Sequence, residues 1–164
     1  MTFGPKGERA RRQVLGPLPV AFWLWRSVPL AAFAGLRVVR LDEQSCSVRL
    51  PGGWRTRNPF RSTYFAAQAM AAEMSTGAPA LVRLRDLPAS VASLVVGLRA
   101  TYTKKLVGTG TFTFDDVAGM SAAIERAADD DEPQAFTARS VGRDGASDVV
   151  AEVEVSWSFR RRRS

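Results

Sequence analysis

Two polar side chains set fifteen positions apart, Asn58 and Glu73, carry most of the chemistry this chain offers. Glu73 sits in a run of small residues, Ala66-Ala67-Gln68-Ala69-Met70-Ala71-Ala72, which favours a helix able to lie close against another surface. A carboxylate on so apolar a helix is costly to bury unless it has a partner or a task. Burial raises its proton affinity, and such a group can activate water as a base or attack a carbonyl directly. An asparagine amide can hold the water or the carbonyl. Each residue also has a plainer reading. Glu73 can hydrogen-bond a neighbouring strand or a subunit partner, and Asn58, before Pro59, can be a turn or cap residue.

Other chemistries are excluded by residue type. The chain has no histidine, so Ser-His, Cys-His and histidine-based metal sites are ruled out. No metal and no cofactor is expected. Cys46 is the one cysteine, in phase with Val48 and Leu50, and reads as a small core hydrophobe. The net charge of +7 is carried by the ends. Residues 1–13 and the four arginines at 160–163 supply it, while the body from 14 to 159 is neutral. The expectation is a single domain over 14–159 between two solvated basic tails, 1–13 and 160–164. A nucleic-acid partner would rest on those tails alone and is not expected.

The elements that must position Asn58 and Glu73 follow from patterning. Val14 to Leu36 is the most hydrophobic stretch, but Arg26 and Pro29 divide it into pieces too short to span a membrane. It reads as an N-terminal helix covering an apolar face, with a membrane-surface helix as the second reading. Leu36–Leu41 and Cys46–Leu50 read as a hairpin. The Ala-rich helix is expected over about 62–76, capped by Ser62 or Asn58 and stopped by Gly77-Ala78-Pro79. Ala80–Leu84 is ambiguous. Val95–Lys104 and Val107–Phe114 alternate as strands, with Tyr102 in the core. Gly108 and Gly110 are expected to let a helix press on the sheet. Asp115–Ala128 has helical spacing and ends in a solvated acidic loop, Asp129 to Pro133. Ala135–Val141 is a further strand. In the last strand Val149, Ala151, Val153, Val155, Trp157 and Phe159 are expected inward, and Val150, Glu152, Glu154, Ser156 and Ser158 outward.

This order, with the Asn58–Glu73 spacing, resembles the hotdog thioesterase superfamily from about Pro17 to Trp157. The resemblance is strongest to an uncharacterised branch close to the phenylacetyl-CoA-type thioesterases. It implies an α+β fold in which a curled antiparallel sheet wraps a central Ala-rich helix. It also implies an N-terminal helix and a helical insertion. In those thioesterases an Asn precedes a His-Gly-Gly turn at the helix start, with an acid fifteen positions after the Asn. Asn58 and Glu73 match the Asn and the acid. Tyr64 stands where the His would be, and Phe65 and Ala66 replace the glycines, leaving less room for a thioester carbonyl.

The resemblance implies an acyl-CoA thioesterase, cytoplasmic and at least dimeric, acting on a coenzyme A or acyl-carrier thioester. Glu73 and Asn58 would be its catalytic pair. The helix start at Tyr64, Phe65 and Ala66 would supply N–H groups to the oxyanion. Arg55, Arg57, Arg61, Lys104 and Lys105 would meet the carrier's phosphates, although such cations are also ordinary surface charge. The rival function is a hotdog domain that binds an acyl thioester or lipid without turning it over.

Overall fold

The computed structural model describes residues 3–16, 24–130 and 132–162. Among the described residues, the helices α1 (Pro5–Leu15), α2 (Pro29–Ala34), α3 (Phe65–Asp86) and α4 (Val117–Asp129) accompany six strands. The strands are β1 (Arg37–Leu41), β2 (Cys46–Leu50), β3 (Val91–Tyr102), β4 (Gly110–Phe114), β5 (Gln134–Arg143) and β6 (Val149–Arg161). They form one antiparallel sheet in the order β1-β2-β4-β5-β6-β3, curled around α3. This is the expected hotdog arrangement.

α3 is central because its side chains permit it. Ala71, Ala72, Ser75, Thr76, Ala78 and Val82 are all buried, so backbone and sheet approach closely. Two polar ties fix its rotation. Ser75 Oγ and Ser140 Oγ of β5 share a buried hydrogen bond of 2.8 Å. Trp157 Nε1 of β6 donates to Thr76 Oγ1 at 3.0 Å, and Thr76 Oγ1 donates to the Glu73 carbonyl. With the helix held at Ser75 and Thr76, the direction in which Glu73 points is fixed.

The expected end of this helix at Gly77-Ala78-Pro79 is corrected. α3 runs on to Asp86 with Pro79 inside it, and Ala80–Leu84 is its second half. A proline costs one hydrogen bond and strains the preceding turn. Here the burial of Ala78, Pro79, Ala80 and Val82 against the sheet and α1 outweighs that cost. The helix also starts later than 62. Tyr64 is the N-cap residue and makes no side-chain cap, so neither Ser62 nor Asn58 caps it.

Several expectations about edges change as well. Residues 5–13 are not a solvated tail, since Pro5–Leu15 is α1, with Ala10 and Val14 buried. Arg9 and Arg12 stay exposed while Gly7, Ala10 and Val14 pack inward, a periodicity that charge counting hides. At the other end β6 carries Arg160 and Arg161 into the sheet, paired with Ala92 and Val91. The stretch Val14–Leu36 is not one helix. α1 ends at Leu15, residues 24–27 are helical, α2 follows, and residues 17–23 lie outside those described. The acidic loop holds Asp131, which is also outside them.

Gly108 is not in a strand; its φ of +84° makes the turn before β4. A Cβ on Gly110 would meet the Leu106 side chain rather than a helix. Tyr102 is exposed on edge strand β3, not in the core, and its hydroxyl donates to the Phe65 carbonyl at 3.2 Å. Val150 is fully buried because an irregularity between Gly142 and Arg143 breaks the alternation opposite it.

Candidate active site

The two edges of the curled sheet, β1 and β3, approach one another around α3 and leave a seam. An apolar cavity of about 290 Å³ occupies it. Val38 of β1, Ser93 of β3 and Trp157 of β6 line it on the sheet side, and Met74, Gly77 and Leu81 on the helix side. Val14, Leu24 and Val28 of the N-terminal segment cover it. Glu73 is the one acidic residue on its wall.

The Glu73 carboxylate makes no hydrogen bond or ion pair with any described residue. Burial among apolar groups pushes its pKa up from the ordinary 4.5. Gly77, one turn further on, makes room for it, since a Cβ there would lie 3.0 Å from Glu73 Oε1. Beyond Gly77 stands the Trp157 indole, stacked on Phe159. Sequence reading put Trp157 on the inner face of β6 but missed it, Gly77 and Ser93 as neighbours of Glu73. The i, i+4 placement of Gly77 after Glu73 was the available signal.

Asn58 does not line this cavity. Its Oδ1 accepts from the N–H groups of Phe60 (3.0 Å) and Ser62 (3.1 Å), and its Nδ2 donates to Ser62 Oγ (3.1 Å). It therefore builds the loop that leads into α3, where Arg61 takes a φ of +60°. At the helix start the Tyr64 N–H is spent on the Thr56 carbonyl. The first-turn N–H groups of Phe65 and Ala66 have no acceptor among the described residues. Nearby, Gln68 is buried; its Nε2 donates to the Thr63 carbonyl, and its Oε1 has no hydrogen-bond partner.

Of the five expected cations, the structure brings two together. Arg57 and Arg61 line a surface pocket of about 250 Å³ with Ser62, Thr63, Val107 and Gly108. Arg55 lies elsewhere, its guanidinium beside Gly35 at the end of α2. Lys104 is held by Asp144 (2.7 Å) and Asp148 (2.6 Å), and those carboxylates push its pKa up to about 12. Lys105 is exposed. Cys46 is fully buried, and desolvation pushes its thiol pKa well up, as suits a core residue.

Residues 20–158 match the profile of a family described as a domain of unknown function, DUF4442. The chain belongs to that family. No curated protein matches it by sequence. Among solved structures, a probable thioesterase of unknown function from Pseudomonas aeruginosa is 18% identical with a TM-score of 0.69, over 89% of this chain and 97% of that one. A thioesterase from Haemophilus influenzae is 12% identical with a TM-score of 0.64, over 87% and 89%. A thioesterase from Staphylococcus aureus is 12% identical over 81% and 99%. It was solved with a glutamate replaced by alanine (TM-score 0.61) and with a glutamine fifteen positions earlier replaced by alanine (0.62). At these identities the likeness is one of fold. This DUF4442 chain thus has the hotdog architecture on which thioesterases are built, with a carboxylate in its central cavity.

Proposed function

We propose that the protein hydrolyses an acyl thioester, with the acyl group in the seam cavity and Glu73 as the base that activates water. The observation that carries this reading is the Glu73 carboxylate, unpartnered among the described residues on a wall that is apolar but for Ser93. A purely structural carboxylate at that depth is ordinarily paired. The Asn58–Glu73 spacing, equal to that of the two residues replaced in the Staphylococcus aureus thioesterase, supports the assignment. Coenzyme A is the carrier this reading favours, with Arg57 and Arg61 taking its phosphates. Lys104, already paired with two carboxylates, has the least charge to offer.

The reading requires a homodimer. Phe65 and Glu73 are eight residues apart in one helix, about 12 Å along its axis. The N–H groups of Phe65 and Ala66 and the carboxylate of Glu73 in one chain therefore cannot meet on one thioester. A second chain joined along β3 would supply the missing half. That edge strand exposes Leu94, Val96 and Leu98, an arrangement that invites strand pairing. Leu98→Arg is expected to give a monomer in light scattering and to lose turnover; a dimer that persists would move the interface elsewhere.

The test of activity is thiol release over a panel of acyl-CoAs. The cavity is about twice the volume of one that accepts benzene. Medium-length aliphatic and aryl acyl groups are therefore expected to turn over faster than palmitoyl. The second reading, binding without turnover, is favoured by Asn58, whose amide is engaged within its own loop. Acyl-CoA that binds but releases no thiol across the whole panel would establish that reading instead.

A further inference from the structure

The cover of the seam continues outward into a surface that the hydrolase reading leaves unused. Leu24 and Val28 line the cavity, and beside them Trp25, Leu30 and Phe33 are exposed. Trp54, from the loop after β2, is 75% exposed and meets the Phe33 ring edge-on at 5.8 Å. Val39 of β1 is exposed as well. A Phe33–Trp54 pair left in water, with Trp25 and Leu30 exposed in the same N-terminal segment, points to a partner. Exposed arginines belong to the same segments: Arg26 next to Trp25, Arg37 at the start of β1, and Arg55 against the end of α2. None of the three ion-pairs with a described residue. From Val14 to Leu41 the sequence holds no acidic residue.

We propose that the exposed Trp25, Leu30, Phe33 and Trp54, with the exposed Arg26, Arg37 and Arg55 of the same segments, dock the protein on an anionic lipid surface, with the mouth of the seam cavity toward the bilayer. Tryptophan suits the headgroup boundary, where its ring is buried and its N–H stays wet. Arginines beside an apolar face meet lipid phosphates, each strengthening attachment to an anionic leaflet about fivefold. Charge decides against a second copy of the chain as the occupant. A two-fold contact sets like patch on like patch, and here it would bring arginines against arginines with no carboxylate to relieve them. No helix among the described residues is long and apolar enough to cross a membrane, so the contact lies at the surface. A lipid-borne acyl chain would then pass beneath Val28 into the cavity, a consequence that rests on the thioesterase reading; the docking itself does not.

Flotation with phosphatidylcholine vesicles, with and without phosphatidylglycerol, tests this on the full chain. The wild type is expected to float with the mixed vesicles and much less with phosphatidylcholine alone. Leu30→Ser with Trp54→Ser is expected to weaken that binding at least tenfold. The unfolding midpoint should be unchanged, since both side chains are mostly exposed. Arg26→Ser with Arg37→Ser should weaken it by more than tenfold at low salt. Three results would each overturn the proposal. One is no binding of the wild type to anionic vesicles. Another is binding that the Leu30/Trp54 variant retains, which would assign it to the basic C-terminus. The third is a wild-type oligomer that the same variant dissolves, which would make the face a protein interface. Flotation needs no turnover, so a protein that floats but hydrolyses nothing would keep this proposal and lose the thioesterase reading.

Discussion

Glu73→Gln is expected to lower kcat/KM for the best acyl-CoA by about 10²- to 10⁴-fold, the range for losing a general base, and to stabilise the fold at neutral pH. In the proposed step Glu73 takes a proton from water, and the water oxygen attacks the thioester carbonyl carbon. The C–S bond breaks, and the thiolate leaves and takes up a proton. Glutamine fills the same space beside Gly77 and Trp157 but cannot accept that proton. The stability gain follows from the same burial. The folded-state pKa of Glu73 is raised above its ordinary 4.5 by desolvation, so the protonated form is the one the fold prefers. Its contribution is intact below the unfolded-state pKa and is lost as pH rises through the higher folded-state value. The melting temperature of the wild type should fall over that interval relative to Glu73→Gln, and the gap should stay open above it. Activity should rise with pH across the same interval, as the base is uncovered. A Glu73→Gln protein that keeps its turnover removes Glu73 from the chemistry. One that melts below the wild type at neutral pH shows that the carboxylate has a stabilising partner.

This combination of a costly group and a rigid mount explains how much of the site was legible beforehand. Alanine content announced α3 and its close approach to the sheet, and one carboxylate in that run announced Glu73. Strict alternation placed Val153, Val155, Trp157 and Phe159 inward. What failed was whatever depends on a distant partner. Pro79 reads as a stop because local sequence does not show the sheet and α1 that hold the helix on both sides of it. Asn58 reads equally as a catalytic amide or a turn residue; only the Phe60 and Ser62 N–H groups that its oxygen accepts show where the amide is engaged. Lys104 reads as a phosphate ligand until Asp144 and Asp148, forty residues away, close on it. A bulge at Val150 in β6, opposite Gly142 and Arg143, resets the alternation and buries Val150, whereas Tyr102 keeps its expected phase opposite Ala151 and is exposed because β3 is the edge of the sheet.

The N-terminal segment is the largest of these reversals, and a single carboxylate accounts for it. Asp86, at the last turn of α3, accepts hydrogen bonds from the N–H groups of Gly4 (2.6 Å) and Gly7 (3.0 Å), closing the open start of α1 from outside. Both positions are glycine for a steric reason, because a Cβ on either would press into the Asp86 carboxylate. Arg83 holds the same carboxylate at 3.2 Å and pairs with Glu125 of α4. The Asp86 side chain is only 7% exposed. Asp86→Ala therefore strands two N–H donors and half the charge of Arg83, and is expected to cost about 3 kcal/mol. The loss should be local first: amide exchange over residues 5–15 should accelerate before that of α3, because Ala10 and Val14 are the chief buried side chains left to hold α1. Asp86→Asn, which keeps one acceptor oxygen, should fall between. Since Val14 is part of the cavity wall, release of α1 should also speed entry of an apolar probe into the seam. Unchanged protection of residues 5–15 in Asp86→Ala would mean that packing alone docks this helix.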